Sequence, residues 1–371
     1  MHASAFFAAM AIVVCAFPIV ASAAPPVPPP LTDAIVFSRS HLNADGTTRS
    51  SRLWIKEPAI DPLALVPDAD HEENNLASWS PRGTHLAFQR THITSNPDGQ
   101  SAIFTIGANG FGLRRATMGR GNFLTPAWGP TNAIAFVTRY PNHDCLSMVA
   151  AASHRQRDLF CAPAPAQIAR PVWSNDGRSI LIHAGYYTGS LEPLWRSLVY
   201  RINANTGAPT LLGDRVLDEP RFLEFSPDGS RGIYSDIYTT EMFVLDFASG
   251  SMTSIGSGYA PRWSPDGRRI AFTREYFDYS GPEFRYYEPL YVMDANGDHE
   301  RQITLSRIPN HAYTAVDWSV DGRRLLVNRR IYLDPSLTIT RYSVRIADIA
   351  TRTVTKLTDG QADPGGWFQR R

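Results

Sequence analysis

Cysteine is scarce in this chain, occurring three times in 371 residues, and no Cys-x-x-Cys pair is present. A thiol redox centre or a cysteine-held metal scaffold is therefore not expected. Charge of one sign is also lacking: the formal net charge is +1. That argues against general attraction to nucleic acid or to a membrane surface. Beyond the first two dozen residues no apolar run is long enough to span a bilayer. No Gly-x-Ser-x-Gly elbow occurs, and the histidines are scattered with no His-x-x-x-His pair. Asp294, Asn296 and Asp298 superficially match a calcium loop, but the later glycine is missing and a hairpin turn explains the run. No cofactor and no metal are expected, and an enzyme is not the favoured reading.

What the chain has is repetition. Trp263-Ser264-Pro265-Asp266-Gly267-Arg268-Arg269-Ile270-Ala271-Phe272 reads as a strand, a tight turn and a second strand. Pro265 presets φ at the first corner, Asp266 bonds nearby backbone, and Gly267 takes the positive φ that closes the turn. That turn chemistry already explains the serine and the aspartate, so neither is taken as catalytic. Degenerate copies start at Trp79, Trp128, Trp173, Phe225 and Trp318 and lead to Leu86-Ala87-Phe88, Ile134-Ala135-Phe136, Ile180-Leu181-Ile182, Gly232-Ile233-Tyr234 and Leu325-Leu326-Val327. A period of roughly 40–50 residues is the signature of a propeller or solenoid.

The ends complete one another. Ala34-Ile35-Val36-Phe37 lacks a Trp strand before it, and Pro364-Gly365-Gly366-Trp367-Phe368 lacks a partner after it. A last strand that completes the first blade leaves no long open edge. The fold expected is all-β: a seven-bladed β-propeller with four-stranded blades, closed by the C-terminal strand completing the N-terminal blade. Six blades is the alternative.

Residues 1–23 read as a signal peptide, apolar from Phe6 to Ala21 and ending in Ala21-Ser22-Ala23 before Ala24. A retained anchor and a lipoprotein at Cys15 are the alternatives. Residues 24–32 are a proline-rich leader, and the propeller occupies 33–371. The expected location is periplasmic or secreted. After cleavage Cys145 and Cys161 remain, placed symmetrically about His154-Arg155-Gln156-Arg157. A disulfide across a hairpin is the first reading, and two buried thiols or a reactive pair are the others.

Leu290-Tyr291-Val292-Met293-Asp294-Ala295-Asn296-Gly297, then Gln302-Ile303-Thr304, then a Trp-Ser-x-Asp-Gly turn, resembles the repeat of the TolB-type β-propellers. The resemblance covers nearly all of the mature chain. It implies a periplasmic propeller in which binding, rather than chemistry, is the task. Two features differ from TolB itself: the separate N-terminal α/β domain is not expected here, and seven blades are counted where TolB has six. Prolyl-oligopeptidase-type enzymes also carry propellers, but no α/β-hydrolase segment is expected. Oligogalacturonate lyases are seven-bladed and hold a metal with histidines; His71, His85, His183 and His311 have no spacing that supports such a site.

Two patterns point to one face of the disc. The loops after the second strands and before the first strands hold Tyr187, Trp195, Tyr238, Tyr276, Tyr279, Tyr286, Tyr332, His311 and Tyr313. Aromatic and arginine side chains on rigidly held loops compose a recognition surface, or they merely cap the disc. Arg39, Arg90, Arg274 and Arg329 recur two residues past the second-strand Phe position, with Arg139 one residue off. They form either a ring suited to an anion or repeat-encoded partners for acids on neighbouring blades. The expectation is a monomeric binding scaffold for an envelope protein. The alternative is binding or cleavage of an anionic saccharide or peptide at the central mouth.

Overall fold

The computed structural model describes residues 33–369 except 44–47, 58–60, 68, 94–100, 120, 152–154, 188–194, 218–220, 237–238, 281–284, 305–308, 334–339 and 359–360. The signal peptide and leader lie outside the described residues.

Seven antiparallel sheets are arranged as the repeat requires. Blade 1 is closed by both ends of the chain: Ala362–Gln369 is innermost, followed by Asp33–Leu42, Thr48–Lys56 and Leu63–Ala64. The closing strand pairs from Asp33↔Gln369 to Arg39↔Ala362. The innermost strands of blades 2, 3, 5, 6 and 7 are Glu72–Trp79, Asn122–Trp128, Arg221–Phe225, Tyr259–Trp263 and His311–Trp318. In blade 4 the innermost strand is broken into Gln167–Ile168 and Val172–Trp173, both paired with Ser179–Tyr187.

The turn motif works as its residues dictate. Ser264 Oγ donates to Asp266 at 2.6 Å and accepts from Arg269 N at 2.9 Å, and Gly267 closes the turn at φ +67°. The turns at Ser174, Ser226 and Ser319 repeat it. Blade 3 reads Trp-Gly-Pro for a steric reason: a Cβ on Gly129 would lie 2.4 Å from the Trp173 ring.

The second-strand phenylalanines Phe37, Phe88, Phe136 and Phe272 are fully buried at one repeat position. Blades are clamped together by the arginine that follows the turn. Arg231 and Arg269 donate to the carbonyls of Gly267 and Gly322 in the next blade. Their guanidiniums stack 4.8 and 5.2 Å above Trp263 and Trp318, and Arg324 does the same over Trp367 at 5.0 Å. Each such contact contributes on the order of 0.5–2 kcal/mol, according to its desolvation.

The loop expected between the second and third strands of blade 6 holds a hairpin of its own, Tyr276–Asp278 with Arg285–Glu288. Its second strand runs parallel to the innermost strand of blade 7, Tyr287↔His311 and Glu288↔Ala312. Because Arg324–Tyr332 occupies the other edge of that strand, the hairpin lies on the axial side. It covers part of the channel mouth opposite the Ser-x-Asp-Gly turns. Cys145 and Cys161 are register partners on adjacent strands of blade 3 and form the disulfide. Among the described residues no helix is long and apolar enough to cross a membrane.

Candidate functional site

The axis of the disc is a cavity of about 670 Å³. Its wall is built from one repeat position, the residue before the inner aromatic: Ser78, Ala127, Val172, Glu224, Arg262, Asp317 and Gly366. A bulge aims these residues inward. The register of the innermost strand slips between Asn75 and Ser78, Leu124 and Ala127, Arg221 and Glu224, Tyr259 and Arg262, and Ala315 and Asp317. Leu76, Thr125 and Ala260, each three residues before its Trp, take left-handed φ of 51°, 49° and 50°. Bulges of this kind bend a strand and re-aim its side chains, and non-glycine residues at positive φ mark positions that the fold holds under constraint.

The same position joins neighbouring blades. Ser78 Oγ accepts from Trp128 N at 2.9 Å, Glu224 Oε2 from Trp263 N at 3.2 Å, and Asp317 Oδ2 from Trp367 N at 3.0 Å. Asp317 Oδ1 also accepts from Trp318 N at 2.8 Å. Where the side chain cannot accept, the carbonyl does: Ala127 O receives the Trp173 indole and Arg262 O the Trp318 indole.

Charge is gathered on one side of the channel. Arg262 lies 3.7 Å from Glu224. Burial pushes the Glu224 carboxyl up to about 7 against the pull of Arg262, and burial raises Asp317 as well. Both carboxylates sit deep in the disc while keeping a partly exposed edge toward channel solvent. Arg170 enters through the break in blade 4. Pro171 has no N–H to give the ladder, so the strand opens there and Arg170 projects into the cavity. Its side chain is exposed to the channel, and it makes no hydrogen bond or ion pair among the described residues. Burial and Arg262 lower its pKa, with Asp317 and Glu224 opposing. His183 lines the same wall, bonded to Ser197; burial pulls it down to about 4, so it is neutral.

The predicted arginine ring is distributed differently. None of Arg39, Arg90, Arg274 and Arg329 lines the cavity. Arg39 stacks on Trp54, 5.1 Å from the ring centroid. Arg90 bonds Asn74 and lies 3.3 Å from Glu72. Arg274 pairs with Glu300 at 2.7 Å and donates to Ser257 O, and Arg329 donates to His311 at 2.8 Å. These partners belong to the arginine's own blade or, for Ser257, to the end of the preceding one, whereas acids on neighbouring blades were expected.

The aromatic set also separates. Tyr279 is 75% exposed, whereas Tyr286 is buried on the hairpin strand that pairs with blade 7 and Tyr313 is buried in the core between blades 6 and 7. Tyr286 donates to Glu275 at 2.9 Å and contacts the buried carboxylate Glu288, which Arg330 faces at 3.3 Å. Tyr276 meets Tyr291 at 3.0 Å, and Tyr332 packs edge-on against Tyr286. Tyr238 and the side chains of Tyr187 and Trp195 lie outside what is described. Sequence reasoning passed over Ser78, Glu224, Arg262 and Asp317, although their signal was present: a polar residue directly before the inner aromatic in four of the seven blades.

No family model matches the chain. The Bacillus subtilis "Uncharacterized peptidase YuxL" is 31% identical over 116 residues, 28% of this chain and 16% of that protein, so the match spans a small part of its length. An oligogalacturonate lyase in complex with manganese superposes with a TM-score of 0.59 at 16% identity, over 88% of this chain and 85% of its own. A prolyl endopeptidase gives 0.61 at 14% identity, covering 89% of this chain and 49% of the enzyme. TolB from Acinetobacter baumannii gives 0.48 at 14% identity, over 89% and 81%. The likenesses to the lyase and the endopeptidase show the fold alone, a β-propeller.

Among the described residues, the histidines singled out from the sequence do not come together. His183 faces the channel, but His311 is held by Arg329, His85 lies beside Trp128, and His71 is exposed at φ 63°. Among the described residues the only three His, Cys, Asp or Glu donors within reach of one ion are His143, Cys145 and Cys161, two of them joined as the disulfide. The guanidiniums of Arg170 and Arg262 in the channel suit an anion.

Proposed function

We propose that this protein binds a carboxylate-bearing ligand, an anionic saccharide or an acidic peptide, in its central channel. Arg170 carries the reading: its guanidinium lines the cavity, is open to channel solvent, and makes no hydrogen bond or ion pair among the described residues. It is therefore available to an anion, which would gain charge-assisted hydrogen bonds from it. Arg262 stands close enough to add a second contact when Glu224 is protonated and releases it. The cavity volume suits a ligand of a few sugar or amino-acid units.

The names of the similar proteins include a peptidase, a prolyl endopeptidase and a lyase. Cleavage is therefore assayed beside binding. The channel acids support binding better than chemistry, since Glu224 and Asp317 already accept backbone N–H groups that hold the blades together. We place the protein outside the cytoplasm, on the signal-peptide pattern and on the disulfide, which persists in oxidising compartments.

The test is equilibrium dialysis of the mature chain against uronate oligosaccharides and acidic peptides, followed by product analysis of the retained ligand. Saturable retention of one class, released by salt, supports the reading. Retention of none, or of neutral and acidic ligands alike, counts against it.

A further inference from the structure

A second cationic cluster lies away from the channel, on the face of blade 7 that packs against blade 6. That face is fixed by the core: Tyr313, Ala315, Val327 and Ala347 pack with Ala271, Leu290 and Val292 of blade 6. Strand alternation puts Arg329 beside Val327 and puts Ser343 and Arg345 in line with Ala347, all on this side. The register sets Tyr313, Arg329 and Ser343 across from one another, with Arg345 opposite Val327.

The donors here outnumber the acceptors. Nε of Arg329, Nε of Arg345 and Oγ of Ser343 are buried and meet no partner among the described residues. Ser343 is only 8% exposed. Neither arginine forms an ion pair among the described residues; after burial, the main influence on Arg345 is Arg329 itself. Both ring nitrogens of His311 face Arg329 Nη2, Nε2 at 2.8 Å and Nδ1 at 3.3 Å, so the imidazole holds that guanidinium in place. Burial and the two arginines hold His311 down at about 4, so it adds no third charge. Arg329 and Arg345 are half-buried, their Nε atoms and the Ser343 hydroxyl are shut from solvent, and no carboxylate among the described residues pairs with them.

We propose that the seam between blades 6 and 7 holds an oxyanion-binding site formed by His311, Arg329, Ser343 and Arg345. The group it takes is a carboxylate or a phosphate. Arg329 and Arg345 supply charge and forked donors, Ser343 supplies a neutral hydroxyl, and His311 holds the Arg329 guanidinium. This site is separate from the channel and does not depend on what the channel binds.

The experiment is a titration of the histidine-labelled mature chain with inorganic phosphate and, separately, with acetate, followed by NMR of the His311 ring. The signal is assigned by its loss in His311→Gln. A saturable shift with either probe is expected, and the better probe identifies the geometry of the group. Arg345→Met is expected to weaken it at least about tenfold, the value of one charge-assisted hydrogen bond. Ser343→Ala, which removes one hydroxyl and leaves the packing intact, weakens it several-fold, whereas Arg170→Met in the channel leaves it unchanged. No saturable movement of His311 with either probe overturns the proposal. So does a Ser343→Ala protein that titrates as the wild type does.

Discussion

Replacing Glu224 by glutamine removes a channel acid that burial perturbs while keeping an oxygen for Trp263 N. In the native protein burial raises this carboxyl from its ordinary 4.5 to about 7. A group that binds its proton more tightly when folded stabilises the fold fully below its unfolded pKa. That contribution fades as pH rises to the folded value. At about 1.4 kcal/mol per pH unit the span is worth about 3 kcal/mol. A quarter of the Glu224 side chain meets channel solvent, which screens the effect. We therefore expect about 2 kcal/mol. The assay is urea unfolding of both proteins at about pH 5 and about pH 8. The wild type should lose about 2 kcal/mol more than Glu224→Gln between those conditions. Asp317 is raised in the same direction and its charge acts on Glu224, so the difference reads Glu224 together with that coupling. Parallel pH profiles would refute the argument that this carboxyl is held protonated near neutrality.

Other expectations follow from the same geometry. Binding of a strong-acid anion in the channel should tighten as pH falls through about 7, because protonated Glu224 frees Arg262; calorimetry at two pH values reads this. Reduction of Cys145–Cys161, which are 16 residues apart, should lower stability by about 3 kcal/mol in urea melts with and without reductant. Gly129→Ala should cost about 1–3 kcal/mol, since its Cβ meets the Trp173 ring, and the melting temperature should fall accordingly. Asp317→Ala leaves Trp318 N and Trp367 N without their acceptor. It should cost about 1–3 kcal/mol and loosen the closing strand, seen as faster amide exchange in Ala362–Gln369.

The architecture was legible because the repeat carries its own chemistry. Pro265, Asp266 and Gly267 specify a turn wherever they stand, and the unpaired end strands called for each other. The channel was legible in principle at the residue before each aromatic, yet attention fell on the more conspicuous arginines two residues past the phenylalanines. Of those, Arg90 and Arg274 pair with acids of their own blades. Arg170 breaks the rule: its blade has Val172 at the channel position, and it enters only because Pro171 opens the strand. The hairpin of Tyr276–Asp278 and Arg285–Glu288 has strand formers on both sides of Ser280-Gly281-Pro282. Its parallel pairing with blade 7 is a long-range contact that no local pattern encodes.

The most direct test of the channel reading is calorimetric titration of wild type, Arg170→Met and Arg345→Met with the tightest ligand from the dialysis panel. The account predicts one saturable site in the wild type, lost in Arg170→Met and kept in Arg345→Met, with melting temperatures unchanged. Equal binding by the wild type and Arg170→Met would contradict it.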